Sequence, residues 1–379
     1  MRNKTWLPSG YWKMWSWTLL LVGSFVLSGA SQAAEIDNLY GATIGVYSQA
    51  QNERQQGLQQ AFEQTLIKVS GQADIVTRTE VKQALRQVND YLVQYSYRQN
   101  DTDGLQLSAS FDPTKVDALL RQLDAPIWGS RRPQLLIWLA QENSAGERDV
   151  IGSDNESVLK QQLLNQAQLR GVPVSLPLFD LTDRMRVSVA DIWGRFQQPL
   201  LRAGERYQAD GIVIARVFRN YQMNSGTDQF SATAAGDVTS GQWVFDWQAW
   251  IGNERAQGRV YGDDPAFLAA PVIDSLAQQL GETYGIREST ARRDSLAIRV
   301  LNLTQVTDIL SLENYLRSLA VIERFELRQF GSQQAEYQLQ LKVDAGRAEQ
   351  VLGLDRRLQP ISRSPFAAAA SMPEFRWQP

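Results

Sequence analysis

The apolar positions of this chain follow two rhythms, one of alternate residues and one of every third or fourth, and the switches between them mark out its elements. The clearest stretch is Ile212–Val217, a β-branched and apolar run with Arg216 as its one polar residue, behind an Ala-Asp-Gly turn. A run this apolar predicts a central strand covered on both faces.

Upstream, a short strand over Leu39–Val46 leads into a helix from about Asn52 to Val69, with Leu58, Phe62, Leu66 and Val69 on one face. Thr77 and Glu80 have the spacing of a capping box that opens a second helix reaching Val88. Val93, Tyr95 and Tyr97 alternate, and so do Leu105, Leu107, Ala109 and Phe111, around the polar turn Asn100–Gly104. That pattern predicts a hairpin. Asp112-Pro113 then caps a helix with the stripe Val116, Leu119, Leu120 and Leu123. The order β-α-α-β-β-α describes a small α+β sandwich over residues 34–125.

The turn-rich segment 126–133, PIWGSRRP, delivers the chain into an apolar strand, Gln134–Ala140. Gln141–Asp154 has no periodicity and reads as a loop. A helix follows to Arg170, with Leu159, Leu163 and Leu169 inward and Gly171 as its stop. Val172–Leu178 is strand-like but is broken by Pro173 and Pro177, which places it at an edge. Ser188 and Asp191 are set to cap the helix that carries Ile192, Trp193 and Phe196. Beyond the central strand come strands around Phe230, over Gln242–Ile251 and over Arg255–Tyr261. Asp264-Pro265 then starts a helix with Val272, Ile273, Leu276, Leu280 and Tyr284 along one side. These elements make a mixed sheet covered by helices, over residues 127–288.

Residues 294–361 repeat the mixture as β-α-β-β-α with a last strand at Leu358–Ile361, a ferredoxin-like order. The tail 362–379, with four consecutive alanines and three prolines, predicts disorder. The fold class is therefore α+β in three units.

Composition narrows the chemistry. The chain has 379 residues, no Cys and no His, which removes thiolate or imidazole metal sites, thiol nucleophiles and histidine general bases. Residues 1–33 run from a basic start through an apolar core, Trp15–Leu27, to Ala30-Ser31-Gln32-Ala33, the pattern of a secretory signal cleaved after Ala33. A periplasmic protein with no membrane span after signal removal is the expectation. Those residues hold Arg2, Lys4 and Lys13 and no acid, so their removal takes the formal charge from -3 to -6. Nothing in that balance points to nucleic acid. No metal and no cofactor is expected.

Two Trp-Gly elements carry arginines: Trp128 with Arg131 and Arg132, and Trp193 with Arg195. An exposed indole beside a guanidinium suits the grip of a protein partner, and another cell-envelope protein is the partner expected. The same residues serve equally as plugs at the ends of a core. Trp243, Phe245 and Trp247 alternate along one strand and offer an aromatic row to a glycan or peptide, or a core face to the helix from Asp264. Asp180 and Asp183 follow the proline-broken strand, where ligands of open sheets gather, and otherwise act as loop and cap acids. Asn100–Gly104 has the look of a calcium-loop fragment but sits where the hairpin needs its turn. The leading expectation is a non-enzymatic binding or assembly protein. The alternative is a carboxylate-dependent envelope hydrolase or glycan-binding enzyme.

The segments LIKVSG (66–71), PIWGSRRPQLLIWLA (126–140), VSLPLFDLTD (174–183), VSVADIWGRF (187–196) and RYQADGIVIARV (206–217) together resemble the exported proteobacterial family called domain of unknown function 2066 (DUF2066). The resemblance implies an envelope protein with no assigned activity and no catalytic residue to carry over. More loosely, the middle unit is similar to the N-terminal domain of TolB and to related domains of the curli secretion protein CsgG and the flagellar assembly protein FlgT. Lipoprotein members of the family would have a Cys after the signal, which this chain lacks.

Overall fold

Packing against helices buries one or both faces of most of the strand runs above, around three separate sheets. The computed structural model describes residues 36, 38–100, 104–143, 145–220, 242–252, 254–287, 294–319, 321–353, 357–361 and 372–378, all within one compact unit, Gln32–Pro379. The export signal expected over 1–33, residues 101–103 of the expected turn and the strand expected around Phe230 lie outside the described residues.

The first sheet is antiparallel, with β1 (Gly41–Gly45), β2 (Leu92–Asn100) and β3 (Gly104–Phe111) in the order β1-β3-β2. Helix α1 (Gln51–Ser70) lays Leu58, Phe62, Leu66 and Val69 on it and ends at Gly71, whose φ of 73° closes the last turn. Helix α2 (Thr79–Arg86) starts later than the capping-box spacing indicates. Thr77 donates its hydroxyl to the Asp74 carbonyl instead, inside a short preceding turn, so it is not available as a cap. Helix α3 (Pro113–Gln122) is capped by Asp112, which accepts from the Thr114 and Lys115 N–H groups.

The second sheet has β4 (Leu135–Glu142), β5 (Arg148–Ile151), the two-residue β6 (Val174–Ser175), β7 (Gly211–Arg219), β8 (Trp243–Ile251) and β9 (Glu254–Gly262). Their order is β5-β4-β7-β8-β9, with β6 beside β4. The run Ile212–Val217 is the middle of β7, parallel to β4 and antiparallel to β8. Helices α4 (Val158–Arg170) and α8 (Ala269–Tyr284) pack on one face, over Ile137, Val213, Phe245 and Trp247. Helices α5 (Leu181–Arg184), α6 (Val189–Trp193) and α7 (Gln197–Gly204) lie on the other side of the chain's course, and α6 and α7 cover Trp138, Ile212 and Ile214.

Two expectations fail here. Residues 141–154 are no simple loop: β4 runs on to Glu142 and pairs with β5. The turn between them is fixed by the Asn143 carboxamide oxygen, which accepts from the Ala145 and Glu147 N–H groups. Leu169 is exposed, because the buried face of α4 is Leu159, Leu163 and Ala167 at steps of four, and residue 169 falls on the opposite side.

The third sheet contains β10 (Ser295–Leu301), β11 (Ile322–Gly331), β12 (Gln334–Leu341), β13 (Leu358–Pro360) and β14 (Glu374–Trp377), with helices α9 (Val306–Ser318) and α10 (Ala345–Leu352). Its order is β11-β12-β10-β14-β13. The tail expected to be disordered therefore ends in a strand. β14 takes the place beside β10 that a ferredoxin-like order reserves for the strand at 358–361, and that strand pairs with β14 instead. Phe375 and Trp377, each 1% exposed, explain why: they complete the core under α9. The residues before them, proline- and alanine-rich, mask that apolar ending.

Candidate functional site

Three charged side chains stand in direct register across the second sheet: Arg216 on β7 pairs with Asp246 on β8, which pairs with Arg259 on β9. Opposite charges set side by side on neighbouring strands attract, and one carboxylate between two guanidinium groups has its charge more than matched. Asp246 is only 3% exposed. Its carboxylate accepts from Arg216 Nη2 at 2.9 Å, Arg259 Nη2 at 3.2 Å and Arg195 Nη1 at 3.2 Å.

Arg195 reaches this row because of how α6 ends. Ser188 and Asp191 form the capping box that the sequence indicates, each side chain bonded to the other's backbone N–H. Five residues later the helix stops at Gly194, and Arg195 takes a left-handed turn, φ 55°, before Phe196. Arg216 ties the two parts together by donating Nη1 to the Trp193 carbonyl at 2.8 Å. The half-buried Trp193 ring packs edge-on against Phe218 and carries Arg148 of β5 on its other side, 4.0 Å from the ring centroid. Arg148 also pairs with Glu142 at 3.7 Å.

The result is a patch in which Arg195, Arg216 and Arg259 converge on Asp246, while Arg148 lies on the Trp193 indole and pairs with Glu142. Arg148 and Arg259 are about half exposed, and Phe196, next to Arg195 in the chain, is exposed. A hydrogen bond with the Tyr261 side chain, ahead of Asp246, holds the Arg259 guanidinium above its ordinary pKa. Fixed, permanently charged forks around a flat ring are suited to carboxylate groups on a partner surface. Trp193 and Arg195 are two of the residues singled out from sequence. Arg148, Arg216, Arg259 and Asp246 are not, although a charge inside an apolar strand is itself a signal, since a buried charge needs a partner.

The other sequence candidates lie elsewhere. Trp247 is fully buried under α8, and Trp243 packs half-buried against the same core, so the aromatic row faces a helix rather than solvent. Asp183 is 0% exposed, and its carboxylate accepts from the Phe179 N–H at 2.9 Å, Arg206 Nη1 at 3.0 Å and the Tyr207 hydroxyl. Asp180 caps α5 and takes two further bonds from Arg206, whose hydrogen bonds hold its carboxyl down at about 2. Burial, then the bond to Asp183, pushes the Tyr207 hydroxyl up to about 12. A carboxylate with three of its roughly four acceptor positions taken by its own fold, and in Asp183 fully buried, serves to anchor a loop.

Trp128 and Arg132, at 1% and 2% exposure, are core and not contact surface. The Arg132 guanidinium stacks over Trp128 at 3.8 Å and donates to five carbonyls: Gly129, Arg170, Gly171, Lys68 and Trp128. Those of Lys68 and Arg170 belong to the last turns of α1 and α4, where helix carbonyls lack a partner, so Arg132 caps two helices at once. Arg131, half-buried, turns the other way, donating to Ser318 Oγ at 2.7 Å and lying over Tyr315 at 4.6 Å, so it joins the second sheet to the third unit. Among the described residues no group of three or more Asp or Glu side chains is placed to hold a metal ion, and no helix is long and apolar enough to cross a membrane.

Comparison with known proteins gives little beyond this. A family described as Domain of unknown function (DUF8605) matches residues 33–129. The chain does not match the DUF2066 family, so that resemblance is overturned, and the looser likeness to TolB-type domains falls with it. The segments that suggested it are a helix end, a short capped helix, a loop between a brief strand and a helix, and two turns that lead into buried strands, local patterns that many α/β arrangements share. No curated protein matches the chain. A solved formyltetrahydrofolate deformylase from Pseudomonas putida KT2440 is similar over 55% of this chain and 89% of its own, at 12% identity, but the TM-score of 0.16 carries no argument.

Proposed function

We propose that this chain is an exported periplasmic protein of the bacterial cell envelope that acts by binding, without catalysis, and that an acidic protein partner docks on the arginine and tryptophan patch of the second sheet. The observation that carries this reading is the company Asp246 keeps: three guanidinium groups converge on one buried carboxylate, and a fourth, Arg148, lies on the neighbouring indole. Clustered arginines beside an aromatic ring, in a patch with more positive than negative groups, have the composition of an interface centre and steer an oppositely charged surface. The apolar, small-residue pattern of residues 1–33 supports export.

Arg148→Glu combined with Arg259→Glu reverses the two most exposed charges and leaves Arg195 and Arg216 on Asp246. Envelope extract passed over the immobilised wild-type chain and over this double variant tests the reading. An acidic protein held by the wild type, released by salt and lost with the double variant is the expected result. Identical proteins on both columns would overturn it.

A further inference from the structure

A second site lies away from that patch, in a cleft of about 510 Å³ between β1 and α4. Its walls are apolar on the α4 side, through Leu164, Ala167, Val172 and Val174, and polar at Gln64 and Thr43. Among its described lining residues one carries a charge, Lys68.

Lys68 is 9% exposed, and its ammonium donates to the Gly41 carbonyl at 2.6 Å and the Asn38 carbonyl at 3.3 Å. An ammonium has three N–H groups, and among the described residues the third has no acceptor. Two more buried cations stand behind it. Arg132 is held by carbonyls and Arg170 pairs with Asp274 at 3.5 Å, so the Lys68 charge has no carboxylate of its own among the described residues. Burial, then Arg132, pulls the Lys68 amine down to about 8, the mark of a cation short of counter-charge. Gly171 forms the floor with φ 62°, and a Cβ there would meet Arg132 Nη1 at 2.8 Å and Lys68 Cγ at 2.9 Å.

The rim of the cleft is an open strand edge. Among the described residues β1 pairs with β3 alone. The Phe111 N–H donates to Tyr40 and the Val46 N–H to Leu105, so in an antiparallel ladder the even positions of β1 face β3 and the odd positions 41, 43 and 45 face away. The bond from Lys68 to the Gly41 carbonyl agrees with that assignment. The Thr43 N–H and C=O thus stand at the open edge, beside the cleft and one pleat from Lys68.

We propose that this cleft receives the C-terminal end of an extended peptide, which adds to the open edge of β1 at Thr43 and sets its terminal carboxylate on Lys68. The backbone edge supplies main-chain hydrogen bonds, the ammonium selects a chain end over an internal segment, and the α4 wall takes an apolar side chain.

The test uses the whole chain and the probe peptide Ac-Thr-Val-Thr-Val, as the free acid and as the C-terminal amide, with titration calorimetry for affinity and hydrogen exchange for placement. The free acid is expected to bind at least ~10-fold more tightly than the amide, the gain of one charge-assisted hydrogen bond. It should also slow exchange at Thr43. Lys68→Met should abolish the preference; if that variant fails to fold, Leu164→Trp, which fills the cleft from a half-buried position, should weaken both peptides instead. Equal affinity for acid and amide, no binding of either, or butyrate competing as well as the peptide would overturn the proposal.

Discussion

Replacing Arg132 by Met keeps most of the apolar contact with Trp128 and removes all five hydrogen bonds to the carbonyls of Gly129, Arg170, Gly171, Lys68 and Trp128. An unsatisfied buried acceptor costs about 1 kcal/mol or more, so five lost with no relaxation would cost roughly 5 kcal/mol or more. Part of that returns, because burial and the nearby Arg170 already disfavour the charge, holding the guanidinium down at about 9. Truncating one member of a buried charged group typically costs about 3–5 kcal/mol, and a loss of about 3–4 kcal/mol is expected here. Arg132→Lys, with three donors in place of five and no flat face for the indole, should fall between wild type and Met. Urea unfolding followed by tryptophan fluorescence measures both, and amine labelling across pH adds an independent readout: without Arg132 the Lys68 amine should titrate higher. A loss below about 1 kcal/mol for Arg132→Met, or a Met variant more stable than the Lys variant, would refute the reasoning that Arg132 holds α1 and α4 together.

Three further outcomes follow from the same contacts. Asp246→Asn leaves three guanidinium groups facing one another without a carboxylate and should cost about 2–4 kcal/mol in chemical denaturation, while Arg259→Gln, which removes the most exposed of the three, should cost less than about 1 kcal/mol. Ending the chain at residue 371 removes Phe375 and Trp377, each worth about 3–5 kcal/mol as a core side chain, and should make β10–β13 sensitive to limited proteolysis while the first two sheets stay protected. Stability should peak near pH 10 in urea titrations at pH 7.5, 9.5 and 11.5. The Lys68 amine and the Arg132 guanidinium, held at about 8 and about 9 mainly by burial, bind fewer protons folded than unfolded, so their penalty is full below pH 8 and eases as pH rises. Tyr207, Tyr284 and Tyr337, pushed up to about 12 by burial, act in the opposite sense: their contribution is intact below pH 10 and is lost as pH rises towards 12. A steady fall from pH 7.5 would contradict the burial of Lys68 and Arg132.

The repeating apolar patterns announce most of the elements, because burial of one face is a local property of the sequence: α1, β7 and β8 lie where their spacing puts them. What local pattern does not report is which distant segment supplies the other half of a pair. Residues 141–151 look like a loop since both strands of their hairpin are polar where they leave the core. The tail looks disordered since its partner, β10, lies 75 residues away at Arg299 and Glu374. The same limit applies to the site. Trp193 and Arg195 stand out as a motif, but Arg216, Asp246 and Arg259 become a site only through the register of three strands. Trp128 and Arg132 have the same composition as Trp193 and Arg195 and the opposite fate, because two helix ends close over them.

In-cell photo-crosslinking from positions 193 and 259, with position 326 on exposed β11 as the control, tests the binding reading most directly. One dominant protein adduct is expected from both patch positions, absent from 326 and lost when Arg148→Glu is added. A folded, exported protein that yields no adduct from either patch position, or the same adduct from 326, would contradict it.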